Sequence, residues 1–305
     1  MRRREYLKKT ATLISLSPFL TSFLLTYDEK KILTRAIPSS GEQLPVVGVG
    51  TWQTFDVGNS ESEREPLKKV LQILVENGGK VIDSSPMYGR SEGVAGTLAK
   101  EMNISNQLFM ATKVWTTGKE EGIKQMNTSM ALMNKRPMDL MQVHNLVDWK
   151  THRTTLRQWK EEGKTRYLGI THYSDSAYDA MARIIQAEPL DFIQIDYSID
   201  NINANDRLLP LAKEKGIAVL INRPYSGGSL FSKTKGKTLP PWARELDIYS
   251  WGQYFLKYIL GNDAVTCVIP GTDKPEHMLD NVGAGFGRLP DKNEMKKMKD
   301  WLDRS

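Results

Sequence analysis

Val81-Ile82-Asp83-Ser84-Ser85-Pro86-Met87-Tyr88-Gly89-Arg90-Ser91-Glu92 reads as a short apolar strand, an acid at its tip, a Pro turn and a Gly turn. A helix pattern follows at once, over residues 91–102. A carboxylate at the end of a buried strand is costly unless a cation meets it. Tyr88, in the strand-to-helix loop, reaches the same end of the strand. Asp83 with Tyr88 therefore points to a site. The rest of the chain must supply a cation that pairs the acid and makes the phenol a better proton donor.

Outward from this unit the same alternation repeats. Residues 34–47 read as a hairpin turning at Ser39-Ser40-Gly41, and 46–52 as a first buried strand. A helix at 62–77 carries Leu67, Val70, Leu71 and Leu74 at helical spacing and stops at Gly78-Gly79. Further strands are expected at 81–84, 108–113, 139–144, 167–171, 192–196, 217–221 and 265–269, with helices at 91–102, 120–134, 150–163, 176–187, 205–215 and 248–260 between them. Short buried strands that alternate with amphipathic helices imply parallel pairing. Eight such units predict an α/β fold, a (β/α)8 TIM barrel with an N-terminal β-hairpin, occupying 34–305 as one domain. A doubly wound open sheet is disfavoured, because no Gly-x-Gly-x-x-Gly follows the first strand. The long irregular stretch 225–241 reads as a lid or binding loop.

In a barrel the chemistry lies at the C-terminal ends of the strands. The third strand ends in Lys113 and the fourth in His144. Each has an ordinary reading alone: a terminal Lys snorkels to solvent, and a strand-end His is more often a satisfied core residue. Convergence of Asp83, Tyr88, Lys113 and His144 from adjacent strand ends is harder to dismiss. With these residues come Gly50-Thr51-Trp52, Tyr88-Gly89, Ala111-Thr112-Lys113 followed by Trp115, Gln142-Val143-His144, and Val268-Ile269-Pro270-Gly271. On these motifs the chain resembles the aldo/keto reductase family from Thr34 to Asn281.

That resemblance implies that Asp83, Tyr88, Lys113 and His144 form a catalytic tetrad. A phenol of pKa ~10 is a weak acid at neutral pH. Lys113 is expected to depress it, Asp83 to hold Lys113 charged, and His144 to hydrogen-bond the carbonyl oxygen that Tyr88 protonates. None of the four is a hydride source, so a nicotinamide is implied. By the same resemblance Thr51, Trp52, Thr171, His172, Gln194, Asn222, Arg223, Gly271, Thr272, Lys274, His277 and Asn281 fall at cofactor positions. Asn222 replaces a stacking Tyr, and Gly271-Thr272 and His277 replace a Lys-Ser pair and an Arg. NADP(H) is expected ahead of NAD(H). Trp52, Met87 and Trp115 match the walls of a substrate pocket, with ordinary core packing as their alternative. The family's long C-terminal loop is absent, which implies an open pocket for a small-molecule carbonyl substrate. A nicotinamide-binding regulatory subunit is the rival from another class, and the intact tetrad favours the enzyme.

Composition bounds the rest. The chain has 305 residues, 40% apolar and 26% charged, with one cysteine, Cys267, and so no intrachain disulfide. Its net charge is +6, but eight basic and three acidic residues lie in 1–35. About +1 is left for 36–305, which excludes a basic nucleic-acid face. Four histidines and no carboxylate–His cluster argue against a metal. Arg3-Arg4-Glu5-Tyr6-Leu7-Lys8, ahead of an apolar run at 11–25, resembles a twin-arginine export signal. That run is shorter than the ~20 residues of a spanning helix and contains Pro18. Residues 1–33 are therefore expected to be a leader that engages the twin-arginine export machinery and directs a monomeric protein to the periplasm. An ordinary basic leader, and a cytoplasmic protein, is the alternative.

Overall fold

A computed structural model describes residues 31–304; the twin-arginine motif and its apolar run lie outside them. The first two strands, β1 (Thr34–Ala36) and β2 (Gln43–Pro45), pair antiparallel with Arg35 opposite Leu44. The hairpin turns through Gly41, whose φ of +77° suits a residue without Cβ. There follow β3 (Val49–Gly50), β4 (Val81–Asp83), β5 (Phe109–Val114), β6 (Met138–His144), β7 (Thr165–Thr171), β8 (Phe192–Asp196), β9 (Ala218–Asn222) and β10 (Cys267–Val268). These eight form one sheet in sequence order, each pair parallel. The edges meet: Gly48 N donates to Val268 O at 2.9 Å, Val268 N to Val46 O at 2.9 Å, and Gly50 N to Pro270 O at 3.2 Å. The sheet thus curls into a nearly closed (β/α)8 barrel, as the alternation predicts.

Helices clothe it: α1 (Glu61–Glu76), α2 (Ser91–Glu101), α3 (Lys119–Leu132), α4 (Trp149–Glu161), α5 (Tyr178–Ala187), α6 (Leu208–Glu214), α7 (Ser229–Lys233), α8 (Trp251–Leu260), α9 (Pro275–Gly283) and α10 (Lys292–Arg304). The stripe Leu67, Val70, Leu71 and Leu74 is the buried face of α1. That helix ends where Gly78 takes φ +81°, and a Cβ on Gly79 would stand 2.3 Å from Leu74 Cδ1. β5 and β6 are buried at every position, as a sheet covered on both faces requires. Inside the barrel, Phe109, Tyr167 and Phe192 pack at ring distances of 5.6–6.0 Å. Ile37 and Leu44 of the hairpin join this cluster. Each such buried side chain contributes about 1.5–3 kcal/mol, so the hairpin is a stabilising floor and leaves the opposite end open.

Arg35 ties the hairpin to the last repeat. Its guanidinium donates to Asn262 O at 2.8 Å, to Leu260 O at 2.5 Å and to Val265 O. These carbonyls lie at and just beyond the end of α8, where helical acceptors lack partners of their own. No helix among the described residues is long and apolar enough to cross a membrane.

Three expectations change. The first strand, expected at 46–52, is reduced to β3, with Val47 and Gly50 making isolated bridges to Val268 and Gly271. The strand at 265–269 shrinks to β10, although Thr266 N still donates to Val219 O and Ile269 N to Ile221 O. The stretch 225–241 is irregular only in part, with no helix or strand over 234–240. It holds a 3-10 turn at Ser226–Gly228 and then α7. Leu230 is fully buried there, and Phe231 packs on Tyr225 at 4.8 Å and on Phe255 at 5.7 Å. This small aromatic core orders the segment.

Candidate active site

β4, β5 and β6 lie side by side, so their last residues converge. Lys113 Nζ donates to Asp83 Oδ2 at 2.7 Å and to Ser84 O at 2.7 Å. Asp83 Oδ1 accepts from Gln194 Nε2 at 2.8 Å and from Gln142 Nε2 at 3.4 Å. Lys113 and Asp83 are buried at 0% and 3% exposure, so this is an ion pair in low dielectric with its lone pairs satisfied. Lys113 Nζ stands 5.0 Å from the centre of the Tyr88 ring. The Tyr88 ring meets His144 edge-on at 5.7 Å. Tyr88 is placed by a tight loop: its N–H bonds Ser85 O at 3.0 Å, and Gly89 follows at φ +60°. A Cβ on Gly89 would fall 2.3 Å from Asp56 Oδ2. Behind the loop, buried Glu92 accepts from Thr112 and Ser129 and locks α2 to β5 and α3.

Burial is the largest influence on Tyr88 and raises its pKa; Lys113 pulls it down, and Asp83 works against Lys113. The net direction is upward, which corrects the expectation that Lys113 depresses the phenol below its ordinary value. Desolvation outweighs the cation here. Burial alone would also discharge Lys113, but Asp83 and then Tyr88 outweigh it and raise its pKa. His144 is pushed down to about 2, chiefly by burial and then by Lys113 and His172. It is therefore a neutral imidazole. Its Nδ1 meets Ser85 Oγ at 2.9 Å.

Above the four residues opens a cavity of about 620 Å³. Asp83, Tyr88 and His144 lie in its wall, with Trp52, Met87 and Tyr173 on one side and Asn222, Arg223, Tyr225 and Phe231 among the rest. The sequence profile of the aldo/keto reductase family matches residues 46–302. The chain belongs to the aldo/keto reductase family. An aldo-keto reductase (str7) from Strobilurus tenacellus is 28% identical over 275 residues, covering 77% of this chain and 80% of that protein. The glycerol 2-dehydrogenase (NADP(+)) of Saccharomyces cerevisiae is 24% identical over 225 residues, 63% of this chain and 68% of that one. A Klebsiella pneumoniae aldo/keto reductase solved in complex with NADP and acetate superposes with a TM-score of 0.74 at 17% identity, over 90% of this chain and 95% of that chain. The last likeness is one of fold.

In this reductase-family barrel the other predicted positions divide. Thr51, Trp52, Thr171, Gln194, Asn222, Arg223 and Gly271 line the cavity together with Asp83, Tyr88 and His144, while Lys113 lies behind the wall. Thr171 Oγ1 donates to Gln194 Oε1 at 2.9 Å. The Asn222 and Asn145 Oδ1 atoms are buried with no partner. Such orphan acceptors suit a ligand that carries N–H or O–H donors, as a nicotinamide carboxamide and ribose do. Gly50 and Gly271 face each other across the seam, where a Cβ on Gly50 would stand 2.9 Å from Ile269 O. The residues present thus fit a nicotinamide at the floor of the cavity.

His172, Thr272, Lys274, His277 and Asn281 stand off the cavity wall. His172 Nδ1 accepts from Ser174 N at 3.1 Å, and its ring stacks on Tyr173 at 5.4 Å. Thr272 Oγ1 accepts from Lys274 N at 3.1 Å, while the Lys274 and His277 side chains are exposed. Asn281 Oδ1 accepts from Tyr225 Oη at 2.5 Å. Arg223 Nε lies 3.8 Å from Asp196 Oδ2. Burial raises Asp196 to about 6, against Asn201 and Arg223.

Trp52, Met87 and Trp115 are exposed by 48%, 38% and 42%, so core packing is not their role. Trp115 stands 6.4 Å from the His144 ring and is held through its backbone by Gln125, at 2.6 Å from N to Oε1. Sequence reasoning missed Asn145, Tyr173 and Phe231. The first two directly follow the strand-end residue or its neighbour and were there to be read. Phe231 lies in a stretch whose Gly, Ser, Lys and Thr content reads as irregular. Among the described residues no cluster of His, Cys, Asp and Glu is arranged to hold a metal.

Proposed function

We propose that this oxidoreductase reduces aldehydes or ketones to alcohols with NAD(P)H, and that Tyr88 is the general acid. The observation that carries the reading is Lys113 Nζ, buried between Asp83 Oδ2 at 2.7 Å and the Tyr88 ring at 5.0 Å, beside His144 on the cavity floor. A bound nicotinamide supplies the hydride. Tyr88 gives its proton to the carbonyl oxygen. A raised phenol pKa keeps that proton in place until negative charge develops on the oxygen, and Lys113 then steadies the phenolate left behind. Asp83 keeps Lys113 charged and pointed at Tyr88. Neutral His144 donates a hydrogen bond to the same oxygen. Thr171, Gln194 and Asn222 are the groups for the carboxamide.

NADP(H) is the proposed cofactor, with Lys274 and His277 as the candidate groups for its adenosine end, and the NADP-bound relative supports it. Trp52, Met87 and Trp115 would hold the substrate. Fluorescence titration with NADPH and NADH, followed by an aldehyde and ketone panel, tests the reading. Tight binding with no turnover on any carbonyl would count against it and favour a binding role. Residues 1–33 are proposed to direct export through the twin-arginine route to the periplasm.

A further inference from the structure

Ser85 lies inside the stretch that defines the site, yet the proposed chemistry gives it no part. It is fully buried, and its hydroxyl has two neighbours. Met87 N donates to Ser85 Oγ at 3.3 Å, and His144 Nδ1 stands 2.9 Å from the same oxygen. Two arrangements of hydrogens satisfy these distances. In the first, Ser85 Oγ–H donates to Nδ1, Met87 N–H donates to Ser85 Oγ, and the imidazole hydrogen sits on Nε2. In the second, Nδ1–H donates to Ser85 Oγ alongside Met87 N–H. The serine hydrogen then has no acceptor among the described residues. A buried hydroxyl donor without a partner costs about 1–3 kcal/mol, so the first arrangement wins.

We propose that Ser85 is a positioning residue: its hydroxyl holds His144 in the tautomer whose Nε2 carries the hydrogen. The imidazole then presents a donor to a carbonyl oxygen. In the opposite tautomer Nε2 would present a lone pair to that oxygen and repel it. The assignment rests on the carbonyl-reductase reading for its purpose, but not for its geometry. It also gives the Pro turn a task. Pro86 follows Ser85 directly and has no N–H of its own, so the first backbone donor that reaches the serine oxygen is that of Met87.

The test is ¹⁵N NMR of the full chain labelled at histidine, of which there are four. Wild-type protein, Ser85→Ala and Ser85→Thr are compared, with His144→Asn to assign the signal. In the wild type Nδ1 of His144 is expected unprotonated and Nε2 protonated. Ser85→Ala shifts the Nδ1 resonance and lowers kcat roughly two- to tenfold, the worth of one hydrogen bond, with KM for NADPH unchanged. Ser85→Thr, which keeps the hydroxyl, restores both. A protonated Nδ1 in the wild type overturns the proposal, as does an Nδ1 resonance that Ser85→Ala leaves in place. The tautomer is read without turnover. A protein with the expected tautomer that reduces no carbonyl would therefore sink the reductase reading and leave this one standing.

Discussion

His144→Asn tests the buried imidazole through stability. In the folded protein His144 is held down to about 2, while an unfolded chain titrates near 6.5. The folded-state pKa lies below the unfolded one. Stability is therefore full above about pH 6.5 and is lost as the pH falls, because only the unfolded chain takes up the proton. At pH 5 the unfolded state gains about 2 kcal/mol from that proton, and at pH 8 almost nothing. The figure depends on the unfolded value alone, provided that the folded group stays neutral at pH 5. Asn at this position removes the proton site and offers Oδ1 to the Ser85 hydroxyl. Its own cost is an offset that does not vary with pH. The stability gap between wild type and variant should thus move by about 2 kcal/mol in favour of the variant between pH 8 and pH 5, or about 4–8 °C in Tm. Urea unfolding at closely spaced pH values measures it, and the other titrating groups cancel in the difference. A gap that stays flat from pH 8 to pH 5 would show that folded His144 takes up its proton as readily as the unfolded chain does, and the depression by burial would fall with it.

Four further outcomes are expected. Tyr88→Phe should lower turnover by about 10²–10⁴ and leave NADPH binding intact, measured by steady-state rates and fluorescence titration; wild-type turnover would remove Tyr88 from the chemistry. Lys113→Met takes away the group that pulls the Tyr88 phenol down, so the alkaline limb of the reduction profile should move to higher pH as the rate falls; Asp83→Asn removes a group that raises the phenol, so it should slow turnover less and not move that limb upward. The same two substitutions test the buried pair by thermal unfolding. Lys113→Met alone strands the Asp83 carboxylate, at a cost of about 3–5 kcal/mol, and adding Asp83→Asn should recover much of that; a double variant no better than the single one would deny the coupling. Finally, Arg3-Arg4→Lys-Lys should leave the protein folded and active but retained in the cytoplasm on cell fractionation, and an unchanged distribution would mean that the leader has another role.

Much of this was legible because a barrel turns linear order into position. Asp83, Lys113 and His144 are strand-end residues, and adjacent parallel strands bring such residues together whatever lies between them. What the sequence hid was burial. It places Lys113 beside Tyr88 correctly, but the direction of the phenol shift depends on how much water the ring loses, and no motif records that. The 225–241 stretch looked irregular because its Gly, Ser and Lys content masks a few apolar contacts, and Phe231 on Tyr225 and Phe255 is a tertiary event. Asn222 was read as a departure from a stacking ring, yet only the folded chain leaves its Oδ1 without a donor. Ser85 gives no signal in the sequence, since a serine beside a proline has a sufficient explanation as a turn residue.

The contact of Arg35 with the carbonyls of residues 260, 262 and 265 bears on the order of events during synthesis. The clamp and the seam between β3 and β10 join residues 35–50 to residues 260–271. Ribosomes add about 5–20 residues per second, so the barrel stays open for on the order of tens of seconds, until the chain is nearly complete. Local βα units can form meanwhile, but closure waits for the residues of the seam. A threading channel that captured the N-terminus early would always meet an open sheet with two unpaired edges. A route that accepts folded cargo must instead wait for residues 260–271. Under the export proposal above, Arg35 follows closely on residues 1–33 in sequence, and the barrel it helps to close is complete only once residues 260–265 have been made.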